Sequence, residues 1–275
     1  MKVCKFGGTS MANALSIKIV ANILRADETR RFVVVSAPGK RYEGDEKVTD
    51  LLFRLKRQYD EGADFQAVLQ KLESRVFELE NELGADINSK REFEIIVRNM
   101  REGKGADYVA SRGEYLSAKL FAKFVGLPFV DSKTLVKFKD GALDYEATID
   151  ALRSALAGLK GAVMPGFYGS DENGEIKTFS RGGSDVTGSL VARAICADVY
   201  ENWTDVDGVY DSNPKTNKSA KLIDRLTYGE MFDLALNGAN VLHKDAVFPV
   251  LEAGIPINIR NTFNPAAVGT WIEKE

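Results

Sequence analysis

The sequence predicts a three-layer αβα sandwich built on a mostly parallel sheet, and three observations carry that prediction. Short β-rich runs alternate with longer stretches of helical periodicity along most of the chain. Paired glycines stand twice where a strand candidate gives way to a helix candidate, at Gly7-Gly8 and at Gly182-Gly183. No low-complexity linker divides the 275 residues, 44% of which are apolar, so one continuous sheet with two lobes is expected. The lobes are residues 1–160 and 161–275.

In chain order, residues 3–6 read as a strand and 12–24 as a helix, and the alternation repeats with 32–35 and 48–59. Between 66 and 121 lie several consecutive helices, with Leu69, Leu72, Val76 and Leu79 at helical spacing and a break at Gly103-Lys104-Gly105. Residues 128–130 read as a strand and 147–156 as a helix. Residues 162–167 look like a buried strand, and Asp171-Glu172-Asn173-Gly174 like the turn of a hairpin between Phe167 and Phe179. A helix over 184–196, a strand over 199–203, helices over 228–236 and 244–252, and strands near Ile257 and Thr270 complete the pattern.

Composition narrows the chemistry. Lys and Arg number 37 against 40 Asp and Glu, a net charge of −3 with no basic block, which argues against nucleic acid as the main partner. No apolar run approaches the roughly 18 residues of a membrane span, and the amino terminus reads directly into a strand, so a cytoplasmic protein is expected. With His243 the one histidine, a His-rich zinc site or a Ser-His-Asp triad would rest on a single imidazole. Cys4 and Cys196 are far apart and are expected to be buried thiols.

Four segments could carry chemistry. In Lys5-Phe6-Gly7-Gly8-Thr9-Ser10 a lysine and two glycines end a strand; the glycines would let amides approach a phosphate, Lys5 would add a point charge and Ser10 would cap the next helix. Ser180-Arg181-Gly182-Gly183-Ser184-Asp185 suits a carboxylate or phosphate held through Arg181, or else a polar turn with Ser184 as N-cap. Trp203 to Tyr210, followed by Asp211-Ser212-Asn213-Pro214-Lys215, ends a strand where an adenine and ribose could bind. Ser111-Arg112-Gly113-Glu114 lies in a helical pattern, where Glu114 would ordinarily be a surface residue. The familiar phosphate-loop, dinucleotide and protein-kinase motifs are absent.

Taken in order, these four motifs resemble those of the aspartate kinases of the amino-acid kinase superfamily, over essentially the whole chain. The resemblance implies the αβα fold of that superfamily and ATP-dependent phosphorylation of the L-aspartate β-carboxylate, with ATP and Mg²⁺ as cofactors, on the route to lysine, threonine, methionine and isoleucine. It implies that Lys5 contacts the transferred phosphoryl group and that Gly7, Gly8 and Ser36 line the phosphate path. Thr49, Glu114, Phe167, Arg181 and Ser184 would hold aspartate, Arg181 taking its α-carboxylate and Glu114 its α-ammonium. Asp185 would organise Lys5 and the phosphate-bound metal, while Thr204, Asp205, Tyr210 and Lys215 would bind the nucleotide. Residues 1–160 would thus be the amino-acid lobe and 161–275 the nucleotide lobe.

The chain departs from the family in two ways. It reaches Glu275 without the paired ACT regulatory domains, so feedback by lysine or threonine is not expected; a homo-oligomer or a separate regulatory chain stays open. Asn240 stands where many relatives have a nucleotide-contacting lysine and Lys244 where they have proline, implying weaker nucleotide binding or compensation by Lys244. The alternative functions are another kinase of the superfamily, acting on glutamate, N-acetylglutamate, carbamate or a nucleoside monophosphate, and a non-catalytic kinase-like regulator.

Overall fold

The structure, a computed structural model, describes residues 1–180, 182–212, 217, 219–236, 242 and 244–274. Its first half contains β1 (Lys2–Phe6), α1 (Ala14–Arg25), β2 (Arg30–Val35), α2 (Val48–Asp60), α3 (Gln66–Leu83), α4 (Ser89–Arg101) and α5 (Ala106–Val125). A small hairpin of β3 (Phe138–Lys139) and β4 (Ala142–Leu143) precedes α6 (Tyr145–Leu156). The second half runs through β5 (Ala162–Pro165), β6 (Tyr168–Ser170), β7 (Ile176–Thr178), α7 (Gly183–Ala194) and β8 (Val199–Thr204). It continues with β9 (Val209–Tyr210), β10 (Leu222–Ile223), β11 (Arg225–Thr227), α8 (Tyr228–Leu236), α9 (Lys244–Ala253), β12 (Ile257–Asn261) and β13 (Thr270–Glu273).

Seven strands form one sheet in the order β11-β13-β12-β8-β1-β2-β5, and every neighbouring pair is parallel except β12 with β13. The predicted sandwich is therefore observed. Central strands are apolar on both faces because helices cover both. On one side Cys4, Phe6, Val33, Val35 and Trp203 pack with α1 to α5; on the other Val3, Val34, Met164, Tyr200 and Ile257 pack with α6 to α9. Leu51, Leu52 and Leu55 of α2 are fully buried, each contributing about 1.5–3 kcal/mol of transfer free energy. The predicted stripe on α3 faces the same core, and the helix stops at Gly84 in the left-handed conformation that glycine tolerates.

Three expectations need correction. Residues 128–130 form only a bridge of Phe129 with Val163, since Pro128 has no amide to extend the pairing at the sheet edge. Ser10 does not cap α1: it lies buried in a 3-10 turn with its hydroxyl 2.7 Å from that of Thr262, and Asn13 accepts the Ser16 amide instead. Cys196 is exposed, because α7 ends at Ala194 and the thiol falls in a left-handed turn beyond it. No described helix is long and apolar enough to cross a membrane.

Candidate active site

The chain leaves β1 for β2 on one side and returns as β8 on the other, so the carboxyl ends of β1 and β8 bound the crevice where open α/β sheets bind ligands. The Gly7 amide donates to the Trp203 carbonyl across this point at 3.1 Å. Lys5 is 8% exposed, and its Nζ lies 2.6 Å from Oδ1 of Asp185 in the first turn of α7. Asn202, the register partner of Lys5 on β8, donates to the same oxygen at 2.8 Å. The Tyr200 hydroxyl donates to the Asp185 carbonyl at 3.0 Å, which ties the start of α7 to β8. Thr9 donates to Asp205 at 3.4 Å, and Thr204 to the same carboxylate at 3.2 Å, linking the two strand-end loops.

Glycines let backbone meet backbone here. The Gly39 amide donates to the Gly8 carbonyl at 2.7 Å, and a Cβ on Gly39 would lie 2.6 Å from the Gly8 carbonyl carbon. Ser36, half-buried, donates its amide to the Phe6 carbonyl at 3.1 Å. A Cβ on Gly113 would stand 2.8 Å from Ala37 Cβ, so α5 can lie against this loop only because residue 113 is glycine. That closeness brings the next residue, Glu114, to the Ala37 amide, which donates to its carboxylate. Thr49 sits half-buried in the first turn of α2, whose Val48 amide donates to the Pro38 carbonyl at 3.1 Å.

Glu114 is 5% exposed, and its Oε2 has no hydrogen-bond partner. Burial raises its pKa to about 8, outweighing the backbone hydrogen bonds and the field of Arg112. A buried carboxylate with an orphaned oxygen is costly unless a cation arrives to complete it.

The opposite wall is as tight. A Cβ on Gly166 would fall 2.6 Å from Ser184, and one on Gly183 2.9 Å from Phe167 Cα. Phe167 itself holds φ at 76°, an uncommon conformation for a bulky residue, fixed by the Phe179 amide donating to its carbonyl at 2.9 Å. Gly182 is the N-cap of α7 and offers no side chain to its amides.

The model of the amino acid kinase family matches residues 1–261. The chain belongs to the amino acid kinase family. The chain is 38% identical over 289 residues to aspartokinase 3 of Bacillus subtilis, a match covering 99% of the chain and 63% of that relative. It superposes on the aspartate kinase of Clostridium acetobutylicum with a TM-score of 0.93 and 40% identity, covering 100% of the chain and 63% of that structure. With E. coli aspartokinase III, solved in complex with aspartate and ADP, the TM-score is 0.89 at 28% identity, covering 100% of the chain and 65% of that structure. The chain therefore spans a little under two thirds of the length of these relatives.

Within the amino acid kinase fold, Lys5, Gly7, Gly8, Ser36, Glu114, Phe167, Ser184, Asp185, Thr204 and Asp205 gather along the carboxyl edge of the sheet, with Thr49 in the helix that opens there. Tyr210 stands farther along, half-buried on the β9–β10 ribbon. Arg181, Lys215, Asn240, His243 and the Lys244 side chain lie outside the described residues. Ser184 falls inside α7 and not at its N-cap, which is Gly182. Asn202 and Gly39 join this candidate site without having been singled out from the sequence, and Gly113 was read there only as part of a motif. Gly113 had a signal, standing beside Glu114 in the motif, whereas Asn202 and Gly39 become visible only once strand register is known. Among the described residues no group of three or more His, Cys, Asp or Glu could hold a metal ion.

Proposed function

We propose that the chain phosphorylates the β-carboxylate of L-aspartate with ATP, giving β-aspartyl phosphate and ADP, and so opens the route to lysine, threonine, methionine and isoleucine in the cytoplasm. The observation that carries this reading is the buried Glu114 carboxylate, orphaned at Oε2 and facing no cation in an ion pair among the described residues. It is a receptor for an ammonium group beside a lysine and a glycine loop suited to phosphate. The relatives named aspartokinase and the E. coli complex with aspartate and ADP support the same reading.

In this reading residues 1–160 bind the amino acid and 161–275 the nucleotide. Glu114 takes the α-ammonium, Arg181 the α-carboxylate, and Thr49, Ser184 and Phe167 close around the side chain. An oxygen of the β-carboxylate, already ionised at pH 7 and needing no general base, attacks the γ-phosphorus. The bond from that phosphorus to the bridging oxygen breaks, and the electron pair leaves with ADP. Lys5 and the Gly7 and Gly8 amides neutralise the charge that moves onto the phosphoryl and bridging oxygens, while Ser36 lines the path. Thr204, Asp205, Tyr210 and Lys215 hold the nucleotide.

ATP would enter with Mg²⁺, which keeps several waters and is held by one or two carboxylates plus phosphates, the metal helping to neutralise phosphate charge. The donor set fits: Lys5 and Asn202 both use Oδ1 of Asp185, leaving Oδ2 for such an ion.

The test is ADP formation by the pure chain with and without L-aspartate, read beside glutamate, N-acetylglutamate, carbamate and UMP. Aspartate-dependent turnover is expected, and Lys5→Ala is expected to lower it about 10²- to 10³-fold, the usual cost of losing one preorganised charge contact. Turnover with another acceptor alone, or with none, would overturn the reading.

A further inference from the structure

The loop between β2 and α2 is gripped by one face of α3. Lys71, Arg75 and Glu78 stand at helical spacing on that face and each reaches the loop. Lys71 Nζ lies 2.6 Å from Glu46, and Arg41 donates to Glu78 at 3.3 Å, both near solvent. Arg75 goes deepest and is only 3% exposed. Its Nη1 donates to the Glu46 carbonyl at 2.5 Å, its Nη2 to the Gly39 carbonyl, and Nη1 lies 3.3 Å from Asp45 Oδ2. One planar guanidinium thus joins the two ends of the loop.

What that loop touches gives the contact its meaning. Gly39 donates its amide to Gly8, Ala37 donates to Glu114, and the Pro38 carbonyl receives the amide that opens α2 just before Thr49. The phosphate loop and the ammonium receptor therefore share one support, and Arg75 fixes its far side.

We propose that Arg75 is a positioning residue for phosphoryl transfer, holding the loop of residues 36–47 so that Gly8 and Glu114 stand in working register. This rests on the reading of the site as an aspartate kinase. A lysine cannot reproduce the contact, because a single ammonium lacks the fork that spans two carbonyls. Methionine in its place should fold, since Asp45 keeps Arg41 at 2.9 and 3.2 Å and an apolar side chain carries no burial cost for charge.

The experiment compares wild type, Arg75→Met and Arg75→Lys by steady-state kinetics and by amide hydrogen exchange. Both variants should show native circular dichroism. Arg75→Met should raise the KM for aspartate and lower kcat, each about tenfold or more, as small displacements of positioned groups do. A mere loss of folded protein would lower the rate and leave KM unchanged. Arg75→Lys should recover only a minor part of the loss. The amides of Ala37 and Gly39 should exchange at least tenfold faster in Arg75→Met while those of α3 keep their protection. Wild-type KM and kcat in Arg75→Met, full recovery in Arg75→Lys, or uniformly faster exchange across α3 would each overturn the proposal. Should wild type fail to turn over aspartate, the proposed function falls, and the exchange measurement still decides whether Arg75 holds the loop.

Discussion

Two buried glutamates, Glu114 on α5 and Glu201 on β8, answer the same physical problem in opposite ways. Glu201 is 1% exposed, yet its pKa lies below the ordinary value. Burial is the largest single influence and pushes it upward, but Arg30 meets it through Nε at 2.8 Å and Nη2 at 3.1 Å, Lys2 approaches to 3.3 Å, and Trp203 donates its indole N–H at 2.9 Å. The guanidinium groups of Arg30 and Arg260 also lie over the Trp203 ring, 5.2 and 4.7 Å from its centroid. Burial dominates at Glu114 too, and there nothing of comparable strength opposes it. Partners, not depth, decide the charge of a buried carboxylate. Glu201 is completed by the fold, whereas Glu114 keeps an oxygen without a partner, which in the proposed function the substrate's ammonium completes.

The comparison breaks most visibly if Glu201 can be neutralised without penalty. Glu201→Gln takes from buried Arg30 its closest counter-charge, leaving only Asp27 at 3.8 Å among the described residues, and is expected to cost about 3–5 kcal/mol of stability, the usual result of removing one partner of a buried pair. Denaturant titration reads this directly. The KM for aspartate of the folded fraction should stay at the wild-type value. An unchanged midpoint would mean that the ion pair is incidental.

Glu114→Gln should do the reverse. The carboxyl of the unfolded chain ionises near its ordinary value of 4.5, and that of the folded chain near 8. Between those values the unfolded state has released a proton that the folded state keeps, so stability falls as pH rises from 4.5 to 8 and is level above 8. Removing the group should raise stability at pH 7 by up to about 3 kcal/mol, while the KM for aspartate rises sharply. More stable and less able to bind is the signature of a residue strained for function. A variant less stable than wild type would place Glu114 in the same class as Glu201.

A smaller effect sharpens the same point. If ammonium capture needs the ionised carboxylate, binding of aspartate expels a proton, and the KM should fall about tenfold per pH unit up to pH 8 and then level off. In Glu114→Gln this slope should vanish. A wild-type KM that is flat between pH 6 and 8 would show that the carboxylate is ionised before the substrate arrives.

How much of this was legible in the sequence follows from where each contact lies along the chain. Lys5, Gly7 and Gly8 fall within one four-residue segment, and a lysine and two glycines at a strand end advertise themselves through local chemistry. The αβα sandwich was equally legible, since helical and strand periodicities are local signals. Asn202 was not, because its approach to Lys5 depends on the register of two strands far apart in sequence. Gly39 was hidden for the same reason, its need for a bare backbone arising from the loop beyond β1. Glu114 was readable only as part of a motif; helical periodicity suggested solvent, and the burial comes from Gly113 admitting α5 against Ala37. Ser10 failed as a cap because Asn13 competes successfully for the role.

The finest test uses Cys4 as a reporter of the Glu201 site. Its thiol lies 3.4 Å from a Glu201 oxygen, fully buried, and both burial and that carboxylate push its pKa well above the ordinary value. The thiolate, which is the reactive form, is therefore scarce at pH 8. Cys196 is exposed beyond the end of α7. One thiol should react rapidly with a disulfide reagent in the native protein, and two after denaturation. If Glu201→Gln loosens the centre of the sheet, Cys4 should become reactive faster by a factor matching the lost stability, because modification proceeds through the opened form when opening and closing are fast. Glu114→Gln should leave Cys4 as slow as in wild type or slower, its disturbance being confined to α5 and the loop at Ala37. Equal acceleration in both variants would mean that the two carboxylates share one cooperative unit, and the contrast between them would then describe chemistry without describing separate regions of stability.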